Sequence, residues 1–244
     1  YYDDISGAPL PDGLVQEAIT EEMAQYHKHE VYTKVPIEQC WERTGRKPIG
    51  VRWVIVNKGD DESPNIRARL VGKEFKTDNR LDMFAATPPL EAKKFLFSLA
   101  ATGRGTEAHL GEYKVLFIDI KRAYMYAPET REVYVALPEQ DSTPGMCGLL
   151  NKSMYGTRGA AQSWERHYES VFVDCLGFVQ GKASICCLYH PGRDIRVVVH
   201  GDDFTCLAVK EQCDWLTAEL KKHFELKVSG CLGSDTNDDK IVRI

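Results

Sequence analysis

The sequence predicts an α+β fold whose second half runs β–α–β–β–α–β, the split βαβ or ferredoxin-like arrangement. Three patterns predict it. Val115-Leu116-Phe117-Ile118-Asp119-Ile120 is a continuous apolar run, too short for a helix and broken by one carboxylate, and reads as a buried strand. Residues 195–199 and 204–209 are two β-rich runs separated by His200-Gly201-Asp202-Asp203, a hairpin with a tight polar turn. Two helical stretches stand between and after these strands. Residues 160–176 carry Trp164, Tyr168, Val171 and Phe172 at helical spacing, and residues 211–223 place Trp215, Leu216 and Leu220 on one face. Residues 224–228 add a short final strand.

This order has a spatial consequence. The strand at 115–120 and the strand at 195–199 are joined by a helical crossover, so they run parallel. The strand at 204–209 folds back between them. The carboxyl end of the first strand and the turn after the second then share one edge of the sheet. Asp119 stands at the first place, Asp202 and Asp203 at the second.

The first half is less regular. Residues 1–12 are rich in Gly, Pro and Asp and are expected to be loose. Residues 13–30 set Leu14, Ala18, Met23 and Tyr26 among acids, the pattern of an amphipathic helix. Val51, Trp53 and Ile55 alternate with Arg52, Val54 and Val56 in a strand. Gly59 to Pro64 forms a turn, and residues 66–71 form a second strand carrying Arg67 and Arg69. The pair reads as a β-hairpin with cationic side chains near its tip. Residues 90–102, with Leu90, Ala92, Phe95, Leu96 and Leu99, have helical period.

The chain has 244 residues, 43% hydrophobic and 27% charged, a balance that excludes a disordered or collagen-like chain. Its apolar runs fall far short of the ~18 residues that cross a bilayer, so no membrane partner is expected. A start at Tyr1 rather than Met suggests a piece of something longer. The net charge of −5 argues mildly against a nucleic-acid partner. Its distribution reverses that. Residues 1–30 hold one Lys against seven acids, whereas residues 31–100 hold thirteen Lys and Arg against nine acids. Counterion release depends on the groups at the contact, not on the total. The eight cysteines form no CxxC pair, which excludes the usual zinc and thioredoxin-type spacings and suggests reduced thiols in the cell interior.

Asp119 interrupts an apolar strand, where a carboxylate is costly unless paired or bound to a cation. Asp202-Asp203 puts like charges side by side between two apolar strands, and a divalent cation is the simplest remedy. Hard oxygen ligands suit Mg²⁺ or Mn²⁺, and two such ions about 3.5–4 Å apart clamp the attacking and leaving oxygens of a phosphoryl transfer. Aspartate doublets also favour turns for their own sake. The pairs Asp3-Asp4, Asp60-Asp61 and Asp238-Asp239 are not framed by two apolar strands and read as solvated.

These residues carry a resemblance. Residues 31–244 resemble the reverse transcriptase of copia-type LTR retrotransposons. Arg67-Ala68-Arg69-Leu70-Val71-Gly72-Lys73-Glu74-Phe75 is similar to that family's "KARLVAKGF" segment. Ile118-Asp119-Ile120 resembles its first catalytic motif, and Glu132-Val133-Tyr134-Val135 its "EEVYMKQP". Lys152-Ser153-Met154-Tyr155-Gly156, followed by Trp164, resembles "KSLYGLKQAPRAW", and His200-Gly201-Asp202-Asp203 stands where the family has "YVDD".

The resemblance implies an RNA-directed DNA polymerase with a fingers–palm architecture, acting on an RNA or DNA template with primer and on dNTPs. Residues 1–30 would be an acidic leader. Fingers would occupy mainly 31–89 and 138–158, and palm mainly 90–137 and 159–244, with thumb and RNase H portions outside the chain. Asp119, Asp202 and Asp203 would hold Mg²⁺ or Mn²⁺. Arg67, Arg69 and Lys73 would neutralise the triphosphate, Arg being suited by its fork; taken alone, they read equally as a solvated hairpin face. Tyr124 would be a steric gate against a 2′-hydroxyl, although its local pattern reads as core. Gly156 would let the backbone approach the templating base or the primer end. His200-Gly201 departs from the family, His200 reading as filler of a polar gap, and Arg158-Gly159-Ala160-Ala161 and Leu81 to Pro88 depart as well. Gly201-Asp202-Asp203 also occurs in RNA-dependent RNA polymerases, and a catalytically inactive remnant is a further alternative. A retroelement enzyme would work in cytoplasmic particles, with a possible nuclear stage.

Overall fold

The computed structural model describes residues 1–60, 62–75, 85–102 and 112–242. The fold is α+β, with helices beside antiparallel sheets. The chain divides into two compact units, Tyr1–Phe84 with Tyr124–Trp164 and Ala85–Ala123 with Glu165–Ile244. Among the described residues no helix is long and apolar enough to cross a membrane.

Unit 1 begins with α1 (Asp12–Lys28), which buries Val15, Ile19, Met23 and Tyr26, the i, i+4 stripe that the sequence predicts. Then come β1 (Tyr32–Pro36), α2 (Ile37–Thr44), β2 (Val51–Asn57) and β3 (Ile66–Gly72). The predicted hairpin is present: β2 and β3 pair antiparallel from Val51↔Gly72 to Asn57↔Ile66. The Tyr26 hydroxyl donates to the Leu70 carbonyl at 2.9 Å and ties α1 to β3. After Tyr124, β5 (Tyr134–Val135) and β6 (Met146–Leu150) join β1 in a three-stranded sheet, order β1-β6-β5. The short strands β1, β5 and β6 carry no strong period, whereas the helix α2 has Ile37, Cys40 and Trp41 at helical spacing, a signal that the reading of the sequence missed.

Two expectations fail in this unit. Residues 1–12 are not loose, and residues 1–30 are not a separate leader. Among the described residues the strand β2 has β3 as its one neighbour, so the N–H groups on its other edge need acceptors. The doublet read as solvated supplies them. Asp3 accepts from the Asn57 N–H at 2.6 Å and from Ile5 and Ser6 at 2.7 and 2.8 Å. Asp4 accepts from the Ile55 N–H at 2.7 Å and from Arg52 at 2.9 Å. Leu10 then joins Val15, Ile19, Ile55 and Ala68 in one buried cluster. Residues 124–137, expected with the second part of the chain, also belong to unit 1, because β5 pairs with β6.

Unit 2 contains α3 (Leu90–Thr102) and β4 (Tyr113–Ile120). It resumes within α4 (Ala160–Ser170), which ends in a π-helical turn over Val171–Cys175. It continues through β7 (Val179–Gln180), β8 (Cys187–His190), β9 (Ile195–His200), β10 (Asp203–Val209), α5 (Lys210–Leu220) and β11 (Leu226–Leu232). The sheet order is β11-β4-β10-β9-β8-β7. Every neighbouring pair is antiparallel, so β4 and β9 run parallel with β10 between them, as expected. The strands β7 and β8 extend the sheet beyond the expectation.

Alternation sorts the side chains of β4 and β10 onto two faces. Tyr113, Val115, Phe117, Leu207 and Val209 pack with Leu96 of α3. Leu116, Ile118, Phe204 and Cys206 occupy the other face, where Phe204 meets the rings of Tyr168 and Phe172 at 5.9 and 5.3 Å. The doublet at 238–239 is not solvated either. Asp238 pairs with Lys114, a buried lysine that also holds Asp235, and Asp239 accepts from the Cys231 N–H at 2.8 Å. Asp60 accepts from the Glu62 and Ser63 N–H groups within its own turn. Asp61 and Leu81 to Phe84 lie outside the described residues.

The three N–H donors, that of Asn57 foremost, pull the Asp3 carboxyl down to about 2. A depressed carboxyl contributes stability that is present above the ordinary value near 4 and is lost as pH falls through about 2. Asp3→Asn puts an amide N–H among these donors. Its melting temperature is expected below that of the wild type at pH 7, with the gap closing as pH approaches 2. Thermal melts at a series of pH values check this, and a constant gap would contradict it.

Candidate active site

Asp119 is the penultimate residue of β4 and Asp203 the first of β10, and the two are direct partners in the register. Ile120 donates its N–H to the Asp202 carbonyl at 3.0 Å. Residues 120 and 202 are therefore the hydrogen-bonded pair, and 119 and 203 form the adjacent non-hydrogen-bonded pair. Cα atoms in such a pair approach to about 4.5 Å and the side chains stand close together. Both carboxylates are on the α3 face of the sheet by parity. On its other side Asp119 is registered with Lys227 of β11.

The third aspartate sits on the turn. His200 pairs with Asp203, so Gly201-Asp202 is a two-residue hairpin loop. Gly201 has φ +66° and Asp202 has no positive φ, the pattern of a II′ turn, which asks for glycine at its first central position. This accounts for the glycine that departs from the family pattern. His200 is exposed, so it does not fill a polar gap.

Among the described residues no N–H or cation hydrogen-bonds the side chain of Asp119, Asp202 or Asp203. Lost hydration, then the charges of Asp202 and Asp119, raise the Asp203 carboxyl above its ordinary value. Lys93 and His200 pull the other way. Lys93 escaped the reading of the sequence. The signal was its place one turn before the buried Leu96, which aims it at the α3 face of the sheet. No group of three carboxylates, histidines or thiols among the described residues is gathered tightly enough to hold a metal ion as it stands. The arrangement is a facing pair with the third carboxylate beside it on the turn.

Unit 1 holds the remaining candidates. Arg67 and Arg69 lie on the exposed face of β3 while Ala68 and Leu70 are buried. Lys73 follows β3, its N–H on the Gly50 carbonyl at 2.8 Å and its side chain exposed. None of these three cations has a carboxylate partner among the described residues. The Arg69 guanidinium stands 4.9 Å over the ring of Tyr155, and that ring lies 4.8 Å from the ring of Tyr124. Tyr124 is half-buried in a single 3₁₀ turn between the buried Ala123 and Met125, so it is not a core residue. Tyr155 was legible as part of a motif but not as the link between Arg69 and Tyr124.

Gly156 has a structural reason that sequence reasoning missed. It has φ +79°, and a Cβ there would come within 2.1 Å of the Gly72 carbonyl oxygen. The Gly72 N–H donates to the Tyr155 carbonyl at 2.7 Å. The backbone approach at Gly156 is thus to the end of β3, and it holds Tyr155 beside Arg69. Glu74 secures the same loop through paired bonds from Arg131 at 2.9 and 3.1 Å and one from the Arg158 N–H at 2.7 Å. Against the cost of burial, these donors keep the Glu74 carboxyl below its ordinary value.

Residues 32–234 match the family described as reverse transcriptase (RNA-dependent DNA polymerase). The chain belongs to that family. It is similar to the retrovirus-related Pol polyprotein from transposon TNT 1-94 of Nicotiana tabacum, 25% identical over 228 residues. The alignment covers 88% of this chain and 16% of that protein, so the chain spans a small part of its relative. Both findings agree with the copia-type retrotransposon resemblance of the motifs.

Two outcomes follow from the site geometry. A raised carboxyl weakens the fold when ionised, and stability is recovered as pH falls through the raised value. Asp203→Asn in the absence of divalent ions is expected to raise the melting temperature at pH 7 by roughly 1–3 °C, given the exposure of the site. The gain should vanish near pH 3–4, and thermal melts across that range measure it. Gly156→Ala, which meets both positive φ and a backbone clash, should cost more than about 2 kcal/mol. Gly201→Ala, with open space around it, should cost about 1–2 kcal/mol. Equal costs in urea titrations would contradict the contrast.

Proposed function

We propose that the chain is the catalytic part of an RNA-directed DNA polymerase, with unit 2 as palm and unit 1 as fingers. It would extend a primer on an RNA or DNA template by adding dNTPs. The observation that carries this reading is the registered Asp119–Asp203 pair beside Asp202, three carboxylates without donors among the described residues. The sheet order β11-β4-β10-β9 supports the ferredoxin-like palm.

The donor set fits a hard divalent ion, Mg²⁺ or Mn²⁺, which such oxygens prefer. When bound, the ions would supply charge neutralisation at the phosphoryl group and a more acidic primer hydroxyl. The chain's own residues do the rest. Asp119, Asp202 and Asp203 hold negative charge at one sheet edge, where their repulsion favours any arrangement that shares a cation. Lys93 limits that repulsion at Asp203. In unit 1, Arg67, Arg69 and Lys73, with no carboxylate partner among the described residues, offer cations to phosphate oxygens, and Arg can do so with two parallel bonds. Tyr124, braced by Tyr155, presents a partly exposed ring as the gate against a 2′-hydroxyl.

A second reading, a domain that binds nucleic acid without extending a primer, is favoured by the absence among the described residues of a ready-made three-ligand cluster. Primer extension on an RNA template separates the two. Extension that requires Mg²⁺ or Mn²⁺, prefers dNTPs to NTPs and falls at least about 100-fold in Asp202→Asn supports the polymerase. Tyr124→Ala should narrow the preference for dNTPs. Activity that survives Asp202→Asn would overturn the assignment of the aspartates, and primer binding without extension would favour the second reading.

A further inference from the structure

Four residues on neighbouring strands of unit 2 stand in one row. Lys227 of β11 is registered with Asp119 of β4, Asp119 with Asp203 of β10, and Asp203 with His200 of β9. Residues directly opposite in antiparallel strands share a face, with Cβ atoms about 4.5–5.5 Å apart. The row therefore lies on the α3 face, and a lysine closes its β11 end. Two residues beyond Asp119, the Lys121 N–H donates to the Glu225 carbonyl at 2.9 Å, so the ladder between β4 and β11 continues past the row.

A bulge puts the lysine there. Leu232 is five residues beyond Lys227, and in a regular strand an odd separation sends two side chains to opposite faces. The register shifts after Val228. Lys227 and Val228 pair with Asp119 and Ile118, and then Gly230 pairs with Phe117 and Leu232 with Val115. The extra residue re-aims the strand. Leu232 then packs on the core of Val115, Phe117 and Leu207, while Lys227 shares their face at the rim. Without the shift, burying Leu232 would turn Lys227 away from Asp119. Gly230 suits the place, because a Cβ there would come within 2.5 Å of the Val242 side chain. Asp239 holds the shifted segment: its carboxylate accepts the Cys231 N–H at 2.8 Å, and its own N–H donates to the Cys231 carbonyl at 3.0 Å.

Lys227 is exposed and has no ion pair among the described residues. Other lysines of unit 2 are committed, Lys121 to Glu225, Lys222 to Glu219, Lys210 to Asp214 and Lys114 to Asp235 and Asp238. The Asp119 carboxylate likewise has no donor among the described residues. Opposite charges on facing residues attract through water without a fixed contact. A four-carbon stem gives the ammonium the reach to the next strand.

We propose that Lys227 is a positioning residue for the carboxylate site: it supplies Asp119 with a positive charge when no divalent ion is bound, and a bound ion displaces it. This rests on the reading of Asp119, Asp202 and Asp203 as metal ligands. An ammonium carries one charge on a flexible stem, whereas a divalent ion carries two and draws several oxygens into direct contact. The ion wins the contest, but against a like charge one strand away. Lys227 thus eases the repulsion within the pair while the ion is absent and weakens the hold on the ion when it arrives. Both effects are open to salt, which screens exposed charges over about 10 Å at 0.1 M ionic strength.

The test uses the whole chain, stripped of metal by chelation, at low ionic strength. Mn²⁺ is titrated in, and the unbound ion is followed by electron paramagnetic resonance. Lys227→Met is expected to bind Mn²⁺ about 3- to 10-fold more tightly than the wild type, with the gap closing in about 0.5 M salt, and Lys227→Arg to match the wild type. A second measurement needs no metal. In thermal melts with EDTA, Lys227→Met should lower the melting temperature by about 1–2 °C in the wild type and leave it unchanged in Asp119→Asn, the mark of a coupled pair. Equal Mn²⁺ affinities or additive melts would refute the role of Lys227 and leave the metal site standing. A wild type that takes up no Mn²⁺ would refute the metal reading itself, and the displacement with it.

Discussion

The antiparallel register between β4 and β10 decides where negative charge collects in unit 2. Once Ile120 bonds to Asp202, the alternation of the ladder leaves Asp119 and Asp203 as the close pair. Nothing about the carboxylates themselves favours that meeting. Their charges oppose it, and after lost hydration, the larger cause, the charges of Asp202 and Asp119 raise the Asp203 carboxyl. The apolar strands on which they ride supply the compensating stability. Val115 and Phe117 on one side and Leu207 on the other are buried in a common core, and a one-residue slip would turn all of them to the wrong face. Packing therefore holds two like charges in register at the rim of the sheet.

The neighbouring features depend on the same constraint. A two-residue loop is the shortest way to return β9 into β10 in that register, and its first central position needs glycine. The same loop places Asp202 next to the pair. Helix α3 packs Leu96 onto the core between the strands and so carries Lys93 toward the rim. Unit 1 shows a parallel logic with other parts. The contact of Gly156 with Gly72 fixes the end of β3 against the loop that bears Tyr155, and the cation of Arg69 finds a ring rather than a carboxylate.

Much of unit 2 was legible because its signals are local and strong. The apolar run around Asp119, the helical stripe from Trp164 to Phe172 and the Gly-containing turn each name one element, and crossover topology does the rest. Other elements carried no such signal. Tyr134–Val135 is too short to show alternation, and β7 and β8 are held by pairing to β9 rather than by their own pattern. Tyr155 and Lys93 act through partners remote in the chain, which periodicity does not reveal. Gly156 was singled out for a ligand, yet its conformation serves the protein's own backbone. Its identity was readable, its neighbour was not.

The aspartate doublets show most clearly what a sequence withholds. Composition makes Asp3-Asp4, Asp202-Asp203 and Asp238-Asp239 alike, and framing by apolar strands singles out only the second. The structure separates them on a different ground, the supply of donors. Backbone N–H groups of an unpaired strand edge meet Asp3 and Asp4, and a buried lysine and the Cys231 N–H meet Asp238 and Asp239. Those carboxylates have their charge answered inside the fold. Among the described residues the set at 119, 202 and 203 has no hydrogen-bonding N–H or cation on its side chains, and at Asp203 the charges of Lys93 and His200 offset the repulsion only in part. Answering Asp3-Asp4 and Asp238-Asp239 inside the fold, while Asp119 and Asp203 face each other with Asp202 beside them, concentrates like charge at one rim of the sheet, and it is on this feature, with the preference of hard oxygen ligands for divalent cations, that the proposed metal site rests.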